Sequence, residues 1–494
     1  MRMRSRWIGW VASGLIACTG SENGDVADVP LATDVVSTDE AEAAAIDVPA
    51  MDATADAMDA LPMDVTADSP DAGDDAMDEL DPLDVATTPA DANTDGELVL
   101  PPVCTGGEIP VATMDGESRL PSIVWTGTEY GVAWQDDEFG DWEILFARVA
   151  ADGTGLEEIR VTEATGDDTT PSVAWDGTKF VIAWAHLSTD PTEGASIRTA
   201  AITRDTEAGG YRAGTTHTIT DRVVDDAEQP ALESIPGSAG GGFAVVWEDS
   251  RQGADNHEIY FASLDANGTR RGANVRFTNA PRISYSPVMH WNARRGELGL
   301  LWLDDRDGTG SGPNEELYFA RAMPNGTRPA GTMDARITND LYRSLWPSFT
   351  YDATGVAIAW ANESDIPDRP HIFFTQRDDS GMPRGGGTAP MLAVSNNPPD
   401  IGAWTTAVGW DGAEYLVVWE DQRHRDGDLV VRRIAPSGLP LTGEVFLGQD
   451  EFFTGHPALV WNANQWAMVW EDDRYGHRDV FFRALARDAC LTGE

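Results

Sequence analysis

Residues 457–485 read PALVWNANQWAMVWEDDRYGHRDVFFRAL. Two short runs rich in aromatic and branched residues, PALVW and QWAMVW, are joined by an N-A-N turn, as the arms of a β-hairpin are. A polar loop, EDDRYGHR, leads to a third run of the same kind. The pattern recurs as PSIVWTGTEYGVAWQDDEFGDWEILFARV from Pro121 and as PVMHWNARRGELGLLWLDDRDGTGSGPNEELYFARA from Pro287. Its second run ends on a tryptophan at Trp134, Trp184, Trp247, Trp302, Trp360, Trp419 and Trp470, with gaps of 50, 63, 55, 58, 59 and 51 residues. Seven anchors imply seven units. D-G-T or N-G-T turns at Asp152, Asn267 and Asn325 lead to a fourth run such as NVRFTNA from Asn274. Four antiparallel strands at this period describe a propeller blade, and period-two alternation excludes helical repeats.

The two ends of the repeat region complete one another. The last unit stops after its third run, at DVFFRALARDAC, whereas GGEIPVATMDGESRLP from Gly106 matches the fourth-run phrases of other units. The N-terminal segment is therefore expected to supply the missing strand and close the ring. Cys104 and Cys490 then fall in one connection, where a disulfide would staple the seam; two free thiols are the alternative.

The fold class expected is all-β: a seven-bladed β-propeller of four-stranded antiparallel blades spanning residues 101–494, behind a signal peptide and an acidic linker. The repeats resemble the PD40 units of TolB-type propellers. That resemblance covers roughly residues 106–490 and implies fold, not function.

Upstream, Arg2, Arg4 and Arg6 precede an apolar run from Trp7 to Ala17 that is too short to span a bilayer as a mature helix, the pattern of a signal peptide over residues 1–17. Its end, Leu15-Ile16-Ala17-Cys18, resembles the bacterial lipobox. The resemblance implies acylation of Cys18 and a lipid anchor in a membrane, and Thr19 in place of Asp implies outer-membrane sorting, on the periplasmic side or the cell surface. From Ser21 to about Leu98 the chain has no aromatic residue, lysine or arginine. Such a segment buries too little apolar surface to offset chain entropy, so residues 18–100 are expected to form a disordered acidic leash.

A formal net charge of -49 leaves no basic footprint for nucleic acid. With eight dispersed histidines and no zinc-type spacing, no metal or cofactor is expected, and a monomer is expected. The commonest polar motif is W-E-D-x-R, with Asp249 and Arg251, Asp304 and Arg306, Asp421 and Arg423, and Asp472 and Arg474. Paired carboxylates of this kind serve acid/base or metal chemistry in some proteins, but repetition in four units favours loop-bracing ion pairs.

Function is better sought where the repeats differ. Loops leading into the first strands contribute Arg119, Arg282, Tyr285, Arg343, Trp346, Trp404, Phe452, Phe453 and His456 to one rim of the channel. Aromatic rings and guanidinium groups there could stack on sugars or grip a carboxylated ligand; packing on neighbouring loops is the alternative. His290 is a further channel candidate. The expectation drawn is a noncatalytic, membrane-tethered module for a glycan, cell-wall component or protein partner, with no catalytic residue. The alternative is a carbohydrate-active enzyme resembling sialidases. That resemblance implies three arginines, a tyrosine-glutamate pair and an aspartate about the channel, although the S-x-D-x-G-x-x-W box is missing from every unit.

Overall fold

The computed structural model describes residues 107–487, except 113–115, 206–208, 222–225, 309–313, 364–368, 386–389, 399–400, 424–426 and 449–451. All belong to the second of the chain's two units, Glu79–Glu494. The expected signal peptide and linker, and Cys18, Cys104 and Cys490 with the anchor and clasp drawn from them, lie outside the described residues.

The described strands form seven separate antiparallel sheets. Blade 1 consists of Ser118–Trp125, Glu129–Asp136, Glu143–Ala150 and Gly155–Arg160, each pairing with the next. Blades 3 to 6 repeat this order. Blade 2 carries two short outer strands, Gly210–Ala213 and His217–Thr218, on its long third strand Ala195–Asp205. In blade 7, Thr454–Trp461, Gln465–Asp472 and Asp479–Ala486 are completed by Glu108–Pro110, which lies antiparallel to Phe481, Phe482 and Arg483. The first strand of each blade touches the first strands of the blades before and after it, and blade 7 returns to blade 1, so seven first strands line the axis.

The core is a ring of interfaces. Each of seven apolar clusters is built from the facing sides of two neighbouring blades. The anchor tryptophans fill them and are nearly or wholly buried, from Trp134 at 0 % exposure to Trp470 at 3 %. A buried indole needs a partner for its N–H, and in four blades the W-E-D-x-R loop supplies it. In blade 3, Trp247 Nε1 donates to Asp249 Oδ2 at 2.9 Å, while Arg251 holds both oxygens of that carboxylate at 2.7 and 2.6 Å. The same clamp joins Trp302, Asp304 and Arg306, and again Trp419, Asp421 and Arg423. Trp470, Asp472 and Arg474 form the fourth. The guanidinium lies 4.0 Å over Tyr260 in blade 3 and 4.2 Å over Tyr318 in blade 4. The motif is thus structural, a bidentate ion pair that terminates the second strand.

Candidate functional site

Every first strand carries a register shift near its start, where two residues face one on the neighbouring strand. In six blades the bulged residue precedes proline and has positive φ: Leu120 (52°), Thr170 (53°), Gln229 (51°), Ser286 (49°), Trp346 (50°) and His456 (51°). Left-handed backbone costs a non-glycine residue about 1–2 kcal/mol, and such strain collects where a side chain must be aimed. Two contacts show the aim. Ser286 Oγ donates to Gln229 Oε1 at 2.7 Å, and the Trp346 ring meets the His456 ring edge-on at 6.2 Å, although blade 6 stands between their blades. In these blades the bulge brings side chains of different first strands together across the ring.

The backbone N–H freed by the bulge is held by the blade before. Leu120 N donates to Glu471 Oε1 at 2.7 Å, Thr170 N to Gln135 Oε1 at 2.9 Å and Ser286 N to Glu248 Oε2 at 3.3 Å. Each acceptor is the residue directly after an anchor tryptophan. At this position the other blades place Ala185, Leu303, Ala361 and Glu420. Glutamate at Glu420 and Glu471, on either side of His456, sets blade 7 apart.

His456 Nδ1 lies 3.3 Å from Glu471 Oε1, a charge contact at a side chain that keeps 18 % of its surface exposed. Glu471 is fully enclosed and accepts from Arg478 at 2.9 Å as well as from Leu120. Glu420 accepts from Thr405 Oγ1 at 3.3 Å, and Thr405 Oγ1 accepts from His456 N at 3.3 Å. Burial pushes the Glu420 carboxyl up to about 7, although the His456 charge opposes it. Burial also acts on Glu471, yet the His456 and Arg478 charges and the Leu120 N–H hold it below the usual carboxylate range. His456 is desolvated, but the Glu471 and Glu420 charges raise it above the ordinary imidazole value. Two carboxyls with opposite shifts thus flank an imidazole that keeps part of its surface exposed. Environments that split the protonation of neighbouring groups mark acid/base assignments.

The remaining rim residues fall into place around this trio. Trp346 is 40 % exposed and offers an open aromatic face. Arg343 grips Glu315 with two nitrogens at 2.7 and 3.2 Å and approaches Glu363 at 3.4 Å. The Tyr285 hydroxyl is buried, with Glu315 beside it, and its pKa lies well above the ordinary value. Arg282 is spent on Asp305 at 2.9 Å, and Arg119 on Glu117 at 2.9 Å with Trp142 beneath it. The three arginines therefore do not converge on Tyr285 as a sialidase-like site requires. Trp404 lies folded against Gly402, with a buried Nε1 that has no partner. Phe453 packs under Arg478, 4.0 Å from its ring centre, and Phe452 is 41 % exposed. His290 sits between blades, 3.2 Å from Glu233 and edge-on to Phe349. Glu420, Glu471 and Glu315 were missed in the sequence because each stands beside a motif residue that already had a role; for Glu420 and Glu471 the signal was a charged residue where blades 2, 4 and 5 carry Ala185, Leu303 and Ala361.

No protein-family model and no curated protein matches the sequence. Solved structures do. The polysaccharide lyase Uly1 is similar at 11 % identity, covering 81 % of this chain and 94 % of its own, with a TM-score of 0.48. The GH93 α-L-arabinofuranosidase of Fusarium graminearum, in complex with arabinobiose, is similar at 10 % identity over 67 % of this chain and 98 % of that one, TM-score 0.46. A mutant Trypanosoma rangeli sialidase displaying trans-sialidase activity is similar at 10 % identity over 78 % and 60 %, TM-score 0.40. At these identities the likeness concerns the fold alone. This chain's own strands make a seven-bladed propeller.

Two expectations are corrected here, that the chain is a noncatalytic binding module and that it is not an enzyme. Structures similar to it are named as arabinanases, an α-L-arabinofuranosidase and a polysaccharide lyase.

The trio predicts a pH dependence of stability. A carboxyl raised to about 7 binds its proton more tightly folded than unfolded, so stability falls as pH rises from about 4.5 to about 7. The shift at Glu420 corresponds to about 3 kcal/mol. Glu228, desolvated and facing Glu248 and Asp226, is also raised to about 7 and acts in the same direction. His456, raised in the fold, likewise loses its stabilising charge as pH climbs through its folded pKa. Thermal unfolding is expected to occur several degrees lower at pH 8 than at pH 5, and Glu420→Gln to flatten the difference. A flat profile in the parent would contradict the assignment.

Proposed function

We propose that this protein is a carbohydrate-active enzyme whose glycan substrate enters the channel mouth and is cleaved by acid/base chemistry. The observation that carries the reading is His456, part-exposed, 3.3 Å from buried Glu471, linked through Thr405 to buried Glu420 and edge-on to the exposed ring of Trp346. Cleavage of a glycosidic linkage needs a group that gives a proton and a group that takes one. In this site the His456 imidazolium gives its proton to the leaving oxygen, the imidazole so formed takes one from the attacking water, Glu471 holds the imidazole's charge and Glu420 lies behind it. Trp346 stacks on a sugar ring. The lipobox-like end at Cys18 supports a lipoprotein held to a membrane by residues 18–100, so the glycan would be one of the cell envelope or its surroundings.

A panel of neutral, sialylated and uronate polysaccharides should be incubated with the full chain. Release of reducing ends reports hydrolysis, and the ultraviolet absorbance of an unsaturated uronate reports elimination. Trp346→Ala is expected to raise KM about tenfold, the effect of losing a contact of about 1.4 kcal/mol, while leaving kcat within a few-fold. Failure to turn over any member of the panel would count against the enzyme reading. An unchanged KM in the variant would remove Trp346 from the site.

A further inference from the structure

Blade 2 departs from the clamp that closes four of its sisters, and the departure leaves a cavity. In blades 3, 4, 6 and 7 the arginine four residues beyond the anchor tryptophan covers both oxygens of the aspartate that holds the indole N–H. Four residues beyond Trp184 stands Ser188. The carboxylate is still present, but it comes from the first strand: Trp184 Nε1 donates to Asp168 Oδ1 at 2.8 Å, and His186 Nδ1 lies 2.7 Å from the same oxygen. Asp168 is 1 % exposed, and its Oδ2, the counterpart of an oxygen that takes an arginine nitrogen elsewhere, has no hydrogen-bond partner.

A second unpaired group faces it. Trp184 is paired across the sheet with Arg198, where Trp247, Trp302 and Trp470 are paired with Tyr260, Tyr318 and Phe481. Arg198 Nε is buried without a partner, and burial draws its pKa below the usual guanidinium value although the Asp168 and Glu193 charges oppose this. Asp168, Trp184 and Arg198 line a cavity of about 420 Å³, together with Arg160 and Arg212. Arg160 is committed to Glu143, and Arg212 is largely exposed, 3.5 Å from Asp205. A buried carboxylate oxygen and a buried guanidinium nitrogen, each unsatisfied, are unfavourable to leave unpaired, and a ligand that satisfies both would relieve this.

We infer that this cavity between blades 1 and 2 is a binding site for a small zwitterion of the amino-acid class, its cationic group on Asp168 and its carboxylate on Arg198. The volume is in the range of small-molecule sites. The chemistry repeats what the fold does elsewhere, with the ligand's ammonium or guanidinium occupying the place of the sister blades' arginine. The site is separate from the channel mouth and does not depend on the enzymatic reading.

Calorimetric titration of the full chain with L-arginine tests it. Saturable binding is expected, at least about tenfold weaker for argininamide, which lacks the carboxylate, and for N-acetylglycine, which lacks the cation, since each loses a charge-assisted contact. Arg198→Ala is expected to weaken L-arginine to the level of argininamide. Ser188→Arg refills the cavity from within and is expected to abolish binding without lowering the melting temperature, which separates loss of the site from loss of the fold. Equal binding of the three compounds, persistence of binding in Ser188→Arg, or no saturable binding of L-arginine, lysine or glycine would each overturn the inference.

Discussion

Replacing His456 with alanine is expected to reduce kcat on the glycan substrate by about a hundred- to ten-thousand-fold, the range that a positioned general acid or base supplies. KM should move little, because Trp346 still holds the sugar. Glu420→Gln keeps the shape of a neutral carboxyl but cannot ionise, so it should preserve turnover at low pH and remove the part of the pH-rate profile that titrates near 7. Glu471→Gln leaves Arg478 and His456 without their buried counter-charge and should both slow the enzyme and lower the imidazole pKa. Rates and pH profiles of these three variants decide the roles. A His456→Ala protein with full turnover would move the chemistry elsewhere in the mouth.

The second large effect concerns the seam. A chain beginning at Gly116 lacks Glu108–Pro110 and is expected to lose at least about 3–5 kcal/mol relative to one beginning at Gly107, because a largely buried charge pair is broken from one side. Arg474 donates to Glu108 at 2.7 Å, and Arg483, only 3 % exposed at its side chain, lies 3.5 Å from the same carboxylate. Val111 and Ala112 also leave the cluster between blades 7 and 1. The bared edge at Phe481 and Phe482 is a template for another chain, so the shorter protein should also associate. Denaturant titration and light scattering measure both; equal stability of the two chains would show that the ring closes without this strand.

The fold was legible because one residue type marks it. A tryptophan at the end of each second strand cannot be replaced cheaply in the interface it fills, so the period survives unequal loop lengths. The W-E-D-x-R loop was legible as an ion pair for a related reason: Asp and Arg two residues apart at a strand end can meet without help from the rest of the chain. The rim was harder. Arg119, Arg282 and Arg343 look like ligand groups in the sequence, yet Arg282 is consumed by Asp305, 23 residues on, and Arg343 by Glu315, 28 residues back. Only pairing of strands brings such partners together. Glu420 and Glu471 were hidden in the other direction, inside a motif whose neighbours explained it, and their opposite protonation arises from burial and from His456, which the sequence places 36 and 15 residues away.

The strained bulge before proline separates two jobs that most strands combine. Packing of a blade depends on its buried faces, whereas the bulged residues lie near the start of the first strand, and Leu120, Thr170, Gln229, Ser286, Trp346 and His456 differ in size, charge and polarity on a common backbone. The mouth is in effect a short word of independent letters. Rewriting a letter leaves the blade's grammar intact, so substrate preference in this protein should be alterable one blade at a time.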